Sequence, residues 1–145
     1  MSNRFHCLED FRTESRSRLP RLIFDFIDGA AGNEYAALKN VETLNRIRLL
    51  PRVLVNVAER SLKKKFLGKE WGLPFGIAPM GMCDLAWPGT DKALAKASVE
   101  HNIPLCNSIA ASSSLEVTFD RAGVNAWFQL YVGASLEKAL EHVKR

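Results

Sequence analysis

Missing from these 145 residues are a CxxC pair, an even set of cysteines, a long apolar run and a dominance of charge of one sign. Each absence removes a class of protein. The cysteines, Cys7, Cys83 and Cys106, are odd in number and far apart, which fits a reducing compartment rather than a disulfide framework. No stretch approaches the roughly 18 apolar residues that a membrane-spanning helix needs. The N-terminus carries Arg4, His6, Glu9 and Asp10 where a secretory signal has a continuous apolar core. The expectation is a soluble cytoplasmic protein, with peripheral membrane contact left open. Twenty basic against sixteen acidic residues leave a formal charge of +4, scattered except for the run Lys63, Lys64 and Lys65. So short a run is ordinarily a solvated face or turn. Neither zinc-finger spacing nor a basic reading helix accompanies it, so neither nucleic acid nor a metal ion is an expected partner.

What is present is an apolar content of 47% in a chain long enough for one core, arranged in two patterns that change over near Gly72. Residues 1–72 read as a helical segment with short extended pieces. Pro20 suits the first turn of a helix reaching Asp28, with Leu22, Ile23, Phe26 and Ile27 as its apolar set and Gly29 as its stop. Asn33 is placed to cap a second helix, on which Ala37, Leu38, Val41 and Leu44 share a face. Arg46 to Val57 has extended character, broken by Pro51.

Over residues 73–145 a strand, a loop and a helix recur three times. The predicted strands are Phe75 to Ala78, Ile103 to Cys106 and Ala126 to Leu130. The helices are Asp91 to Glu100 with Ala93, Leu94 and Ala97 inward, one capped by Ser113 with Glu116, and one capped by Ser135 with Leu136, Ala139, Leu140 and Val143 on one face. Successive βα units imply a parallel sheet with right-handed crossovers. Either a doubly wound sheet or a TIM barrel can be built from them. The absence of a GxGxxG after the first strand weighs against the dinucleotide-binding form.

In a barrel, the polar residues at the C-terminal ends of strands are the functional candidates. Those ends read Pro79-Met80-Gly81, Ser108 and Gln129-Leu130-Tyr131. Gln129 offers an amide donor and acceptor, Ser108 a hydroxyl, and Gly81 a backbone N–H that a flat ring can approach. Such a set matches the pyrimidine edge of a flavin, where acceptors alternate with an N–H donor. Polar residues at strand ends are also common without any ligand.

Five ordered stretches add a resemblance: LPRLIFDFIDGAAGNEY (Leu19 to Tyr35), RLLPRVLVNV (Arg48 to Val57), LPFGIAPMGM (Leu73 to Met82), NSIAASSSLE (Asn107 to Glu116) and WFQLYV (Trp127 to Val132). With them the chain resembles the FMN-dependent α-hydroxy-acid dehydrogenases and oxidases, the family of glycolate oxidase, L-lactate dehydrogenase and mandelate dehydrogenase. The resemblance implies an α/β fold, the N-terminal portion of a TIM (β/α)8 barrel with about three βα units preceded by a helical segment. It implies FMN as cofactor and oxidation of a small 2-hydroxy acid to the keto acid, with hydride transfer to the flavin. By the same resemblance Pro79, Met80, Gly81, Ser108 and Gln129 bind the flavin, and Tyr131 is a catalytic residue on the substrate side.

One position departs from the family pattern. Phe24-Asp25-Phe26 stands where the family has a YDY segment, so Phe26 occupies the place of a substrate-binding tyrosine without its hydroxyl. Phe26 is either a core residue of an amphipathic helix or a pocket wall that no longer bonds the substrate carboxylate. The resemblance also implies that the histidine base, the substrate arginines and a flavin-contacting lysine belong to strands beyond Arg145. His6, His101 and His142 lie where surface or structural roles are expected. The chain by itself is therefore expected to be inactive and incomplete, with a homo-oligomeric complete form left open. A truncated, non-catalytic relative that binds a protein partner is the competing reading.

Overall fold

Residues 5–133 and 135–144 are described by the computed structural model. The chain divides into two compact units, Met1–Glu59 and Arg60–Arg145. The pattern change near Gly72 and this division do not coincide. The stretch between them is a hairpin, which packs within the second unit.

The first unit is helical. Helix α1 (Leu8–Arg18) has Glu9 and Asp10 in its first turn and Arg16 and Arg18 in its last, complementing the helix dipole at both ends. Asp10 reaches back to accept the backbone N–H groups of His6 (2.7 Å) and Cys7 (3.1 Å). Helix α2 (Arg21–Asp28) starts directly after Pro20 and stops at Gly29, as its sequence leads one to expect. Arg12 joins the two helices through a fork onto Asp28, Nε to Oδ1 at 2.5 Å and Nη2 to Oδ2 at 2.9 Å. The buried side chain of α2 is Phe24, with the Arg16 guanidinium 5.9 Å above its ring. Leu22, Phe26 and Ile27, expected as its apolar set, are more than half exposed.

Helix α3 (Tyr35–Asn45) begins one residue later than a simple Asn33 cap would place it. Glu34 takes the cap position in the left-handed region, and Asn33 accepts the Tyr35 N–H at 3.2 Å. The predicted face exists, but Leu38, Val41 and Leu44 are 66%, 58% and 66% exposed. Arg46 to Val57 forms no strand, because among the described residues none pairs with its backbone in a ladder.

The second unit opens with a hairpin absent from the sequence reading. Strands β1 (Lys64–Phe66) and β2 (Lys69–Trp71) pair antiparallel around Leu67-Gly68, both at positive φ, the geometry of a two-residue hairpin turn. Lys64 and Lys65 are solvated, as expected of the basic run, although on a strand. Trp71 is 2% exposed; its indole N–H donates to the Phe66 carbonyl, and its ring meets Trp127 edge-on at 5.9 Å. Lys69 lies 4.2 Å over the Trp71 ring and donates to Asn125 Oδ1. The hairpin thus covers the N-terminal ends of the parallel strands that follow, the end opposite the candidate site.

Helix α4 (Thr90–Glu100), strand β3 (Leu105–Ser108), helix α5 (Leu115–Ala122), strand β4 (Ala126–Gln129) and helix α6 (Leu136–Lys144) complete the unit. Strands β3 and β4 are parallel neighbours with Leu105 opposite Ala126 and Ser108 opposite Gln129. The expected first strand, Phe75 to Ala78, reduces to a parallel bridge between Ile77 and Leu105. Its prolines explain this: Pro74, Pro79 and the facing Pro104 have no N–H for a ladder. Gly76 also lies so close that a Cβ there would meet Pro104 Cγ at 2.6 Å. The second strand likewise starts after Pro104, two residues later than expected.

The sequential parallel order agrees with the expected βα units. Among the described residues the sheet is open and no barrel closes. Its core joins Ala95, Leu105 and Ala122 with Ile77, Leu94 and Ala126 around them. The inward face of α4 is rotated from the one expected: Asp91, Ala95 and Ser98 are buried, Leu94 and Ala97 half-buried, and Ala93 exposed. Ser114, not Ser113, caps α5, accepting the Val117 N–H.

Candidate functional site

The parallel register decides which strand-end side chains meet. Ser108 and Gln129 close their strands as register partners, so both side chains point to the same face of the sheet. The Ser108 hydroxyl donates to Gln129 Oε1 at 3.1 Å and accepts the Ala110 N–H at 3.1 Å. Ser108 is buried and Gln129 half-buried. With its oxygen accepting from Ser108, the amide nitrogen of Gln129 is the side chain's donor group.

The Pro79-Met80-Gly81 segment lies beside this pair. Met82, in the left-handed region at φ 53°, donates its N–H to the Ala110 carbonyl at 2.9 Å. A Cβ on Gly81 would come within 3.1 Å of the Ala110 Cβ, so glycine is what lets the two loops approach. Met80 is 45% exposed above them. Beneath, the space among Ala78, Met80, Cys83, Asp91 and Ser108 is only about 10 Å³, a packed floor. On the helix side a concavity of about 420 Å³ is lined by Asn107, Ser108, Ile109, the serines 112 to 114, Phe128 and His142.

Two expected residues remain, one in each unit. Tyr131 follows β4 and is 66% exposed. Phe26 belongs to the first unit, where it is 62% exposed while Phe24 fills the buried position of α2. Tyr131 takes no part in the hydrogen bonds of the Ser108–Gln129 pair.

The electrostatics disfavour a thiolate at either cysteine of this unit. Burial, followed by the charge of Asp91, pushes the Cys83 thiol up, and burial does the same to Cys106, so neither is a ready thiolate. Among the described residues no three His, Cys, Asp or Glu side chains gather as a metal site. His101 is exposed, and the His142 ring tilts against Phe128 at 6.4 Å.

Sequence reasoning missed the carboxylates behind the site. Asp84 Oδ1 accepts the N–H groups of Gly89 and Thr90, and buried Asp91 accepts the Ser113 N–H at 2.7 Å. The available signal was an acidic residue in the first turn of α4, ordinarily read as a solvated partner of the helix dipole.

Comparison with known proteins supplies the wider frame. (S)-Mandelate dehydrogenase from Pseudomonas putida is 36% identical over 132 residues, covering 91% of this chain and 34% of that protein. L-Lactate dehydrogenase from Azorhizobium caulinodans is 34% identical over 123 residues, covering 85% of this chain and 32% of that protein. The solved structure of a soluble mutant of the membrane-associated (S)-mandelate dehydrogenase from Pseudomonas putida superposes with a TM-score of 0.87 at 36% identity, over 94% of this chain and 39% of that one. The chain spans about a third of the length of the curated relatives it matches. The model of FMN-dependent dehydrogenases matches residues 15–145, nearly the whole sequence. On that match the chain belongs to the FMN-dependent dehydrogenase family.

Proposed function

We propose that this chain forms the first part of the flavin cradle of an α-hydroxy-acid dehydrogenase or oxidase. The observation that carries the reading is the Ser108–Gln129 pair, two register partners at strand ends joined by a hydrogen bond from the hydroxyl to the amide oxygen. FMN, the family's cofactor, fits this donor set: an amide N–H and a hydroxyl oppose the carbonyl and N–H groups of its pyrimidine edge. The Pro79-Met80-Gly81 backbone borders the same place and offers a flat ring a close approach.

Bound FMN supplies the hydride acceptor for the oxidation of a small 2-hydroxy acid to its keto acid. Within this chain, Gln129 and Ser108 fix the ring's edge and so its angle to the substrate. Tyr131, just beyond β4, is assigned the substrate side, where its hydroxyl can hold a developing oxyanion by hydrogen bonding. Phe26, in place of a tyrosine, contributes a ring without a hydroxyl, so the carboxylate relies on other groups. No helix among the described residues is long and apolar enough to cross a membrane. The likeness to a membrane-associated mandelate dehydrogenase supports peripheral membrane association rather than a free cytoplasmic enzyme.

The test uses the holoenzyme, the flavin-loaded barrel of which these residues are the first part. Gln129→Ala is expected to weaken FMN retention roughly tenfold, as removal of one hydrogen bond with an unpaired flavin atom left behind costs about 1 to 3 kcal/mol. Tyr131→Phe is expected to leave retention unchanged and to lower turnover. Equal flavin content in wild type and Gln129→Ala after gel filtration would remove the reading.

A further inference from the structure

We propose that Asp91 is a positioning residue for the strand-end site, acting through the loop that follows Ser108. The proposal rests on the flavin reading above. Asp91 lies in the first turn of α4 and is 6% exposed. Its Oδ2 accepts the Ser113 N–H at 2.7 Å, a bond across 22 residues that joins two successive βα units. Ser113 is not occupied in capping α5, because Ser114 does that. The amide of Ser113 is therefore committed to α4.

Two further bonds run parallel to this one. The Asp84 N–H donates to the Ser112 hydroxyl at 3.1 Å, and the Met82 N–H to the Ala110 carbonyl at 2.9 Å. Residues 110, 112 and 113 of one loop are thus tied to residues 82, 84 and 91 of the preceding unit. Asp84 makes its own segment stiff, since its carboxylate closes back onto the Gly89 and Thr90 amides.

The consequence reaches the site through Ala110. Its N–H donates to the Ser108 hydroxyl while its carbonyl holds Met82, and its Cβ lies against Gly81. A shift of the loop at Ser113 would move the partner of Ser108 and change the gap to Gly81. The Asp91 carboxylate bonds the Ser113 amide, and the Ser108–Gln129 bond runs without it, so its effect is on the geometry and not on the chemistry.

A simple structural staple would affect melting alone, so the test measures flavin as well. In the holoenzyme, Asp91→Ala leaves the Ser113 amide without its acceptor and is expected to raise the FMN dissociation constant roughly tenfold, with an altered visible circular dichroism of the bound flavin. Asp91→Asn keeps an acceptor oxygen at the same reach and is expected to restore affinity to within about twofold, a loss below half a kcal/mol. Ser112→Ala removes the exposed hydroxyl that accepts the Asp84 N–H and is expected to move affinity in the same direction by a smaller factor, which keeps the test open should Asp91→Ala fail to fold. Asp91→Ala and Ser112→Ala that bind FMN as wild type with an unchanged flavin spectrum, whatever their melting temperature, would overturn the proposal. So would failure of the asparagine to rescue. Gln129→Ala in the same series separates the two readings. If it weakens FMN binding while the Asp91 and Ser112 variants do not, only the positioning role falls. If none of them does, the strand-end flavin reading falls with it.

Discussion

Phe24 and Phe26 lie two residues apart on α2, yet one is 8% exposed and the other 62%. That difference bears on whether Phe26 is core or pocket wall, because the buried position of the helix is already filled by its neighbour. We expect Phe26→Tyr in the holoenzyme to lower the Michaelis constant for a short 2-hydroxy acid. A new hydroxyl-to-carboxylate bond contributes about 1.5 to 3 kcal/mol at most, so the fall should be roughly tenfold where the hydroxyl reaches its target. Steady-state kinetics across a series of short hydroxy acids checks this, and a constant that improves for none of them assigns Phe26 to structure. The strand-end residues were legible in the sequence because polar side chains closing short apolar runs stand out. That Ser108 and Gln129 bond to each other was not, since it depends on register, which two separated strands do not announce.

Among the elements, helices α2 to α6 and the order of βα units followed from periodicity and caps, whereas α1 (Leu8–Arg18) was not read from the sequence and positions that depend on neighbours shifted. The buried stripe of α4, Asp91, Ala95 and Ser98, escaped a reading based on apolar residues because two of its three members are polar. They are buried because each is satisfied: Asp91 by Ser113, and Ser98 by the Ala95 carbonyl while its own carbonyl takes the Asn125 amide. The β1–β2 hairpin escaped because its strands are three residues long and one is mostly lysine, with its stability supplied by Trp71 and Trp127 across a long interval. In the helical unit a pH dependence follows from the α1–α2 link. Hydrogen bonds from Arg12 hold the Asp28 carboxyl below its ordinary value of 3.8, and backbone amides of His6 and Cys7 do the same for Asp10. A folded value below the unfolded one means that the contribution is complete above about pH 4 and is lost as pH falls through the folded value. Helix content followed by circular dichroism from pH 5 to pH 2 should decline with a component that Asp28→Asn removes; identical acid titrations of the two proteins would contradict it.

At the scale of the whole molecule, the described sheet exposes two open edges, and α6 leaves Leu136, Leu140 and Val143 at 65%, 48% and 66% exposure. A sheet with free edges and wet apolar faces invites association. Residues 1–145 produced alone should accordingly hold FMN weakly, since stacking and a few hydrogen bonds must offset the ordering of an unsupported site. Titration of the purified chain against flavin fluorescence checks this, and a monodisperse monomer with sub-micromolar affinity would show a self-sufficient flavin domain instead. The family match covers about a third of each relative, and the strand-end cluster is what this third contributes to the proposed chemistry. The most direct measurement is an experimental structure of the holoenzyme with FMN bound. The account requires the pyrimidine edge of the flavin within about 3 Å of Gln129 Nε2 and the Ser108 hydroxyl, with the Pro79 to Gly81 backbone alongside the ring. A flavin whose pyrimidine edge lies away from both side chains would contradict it.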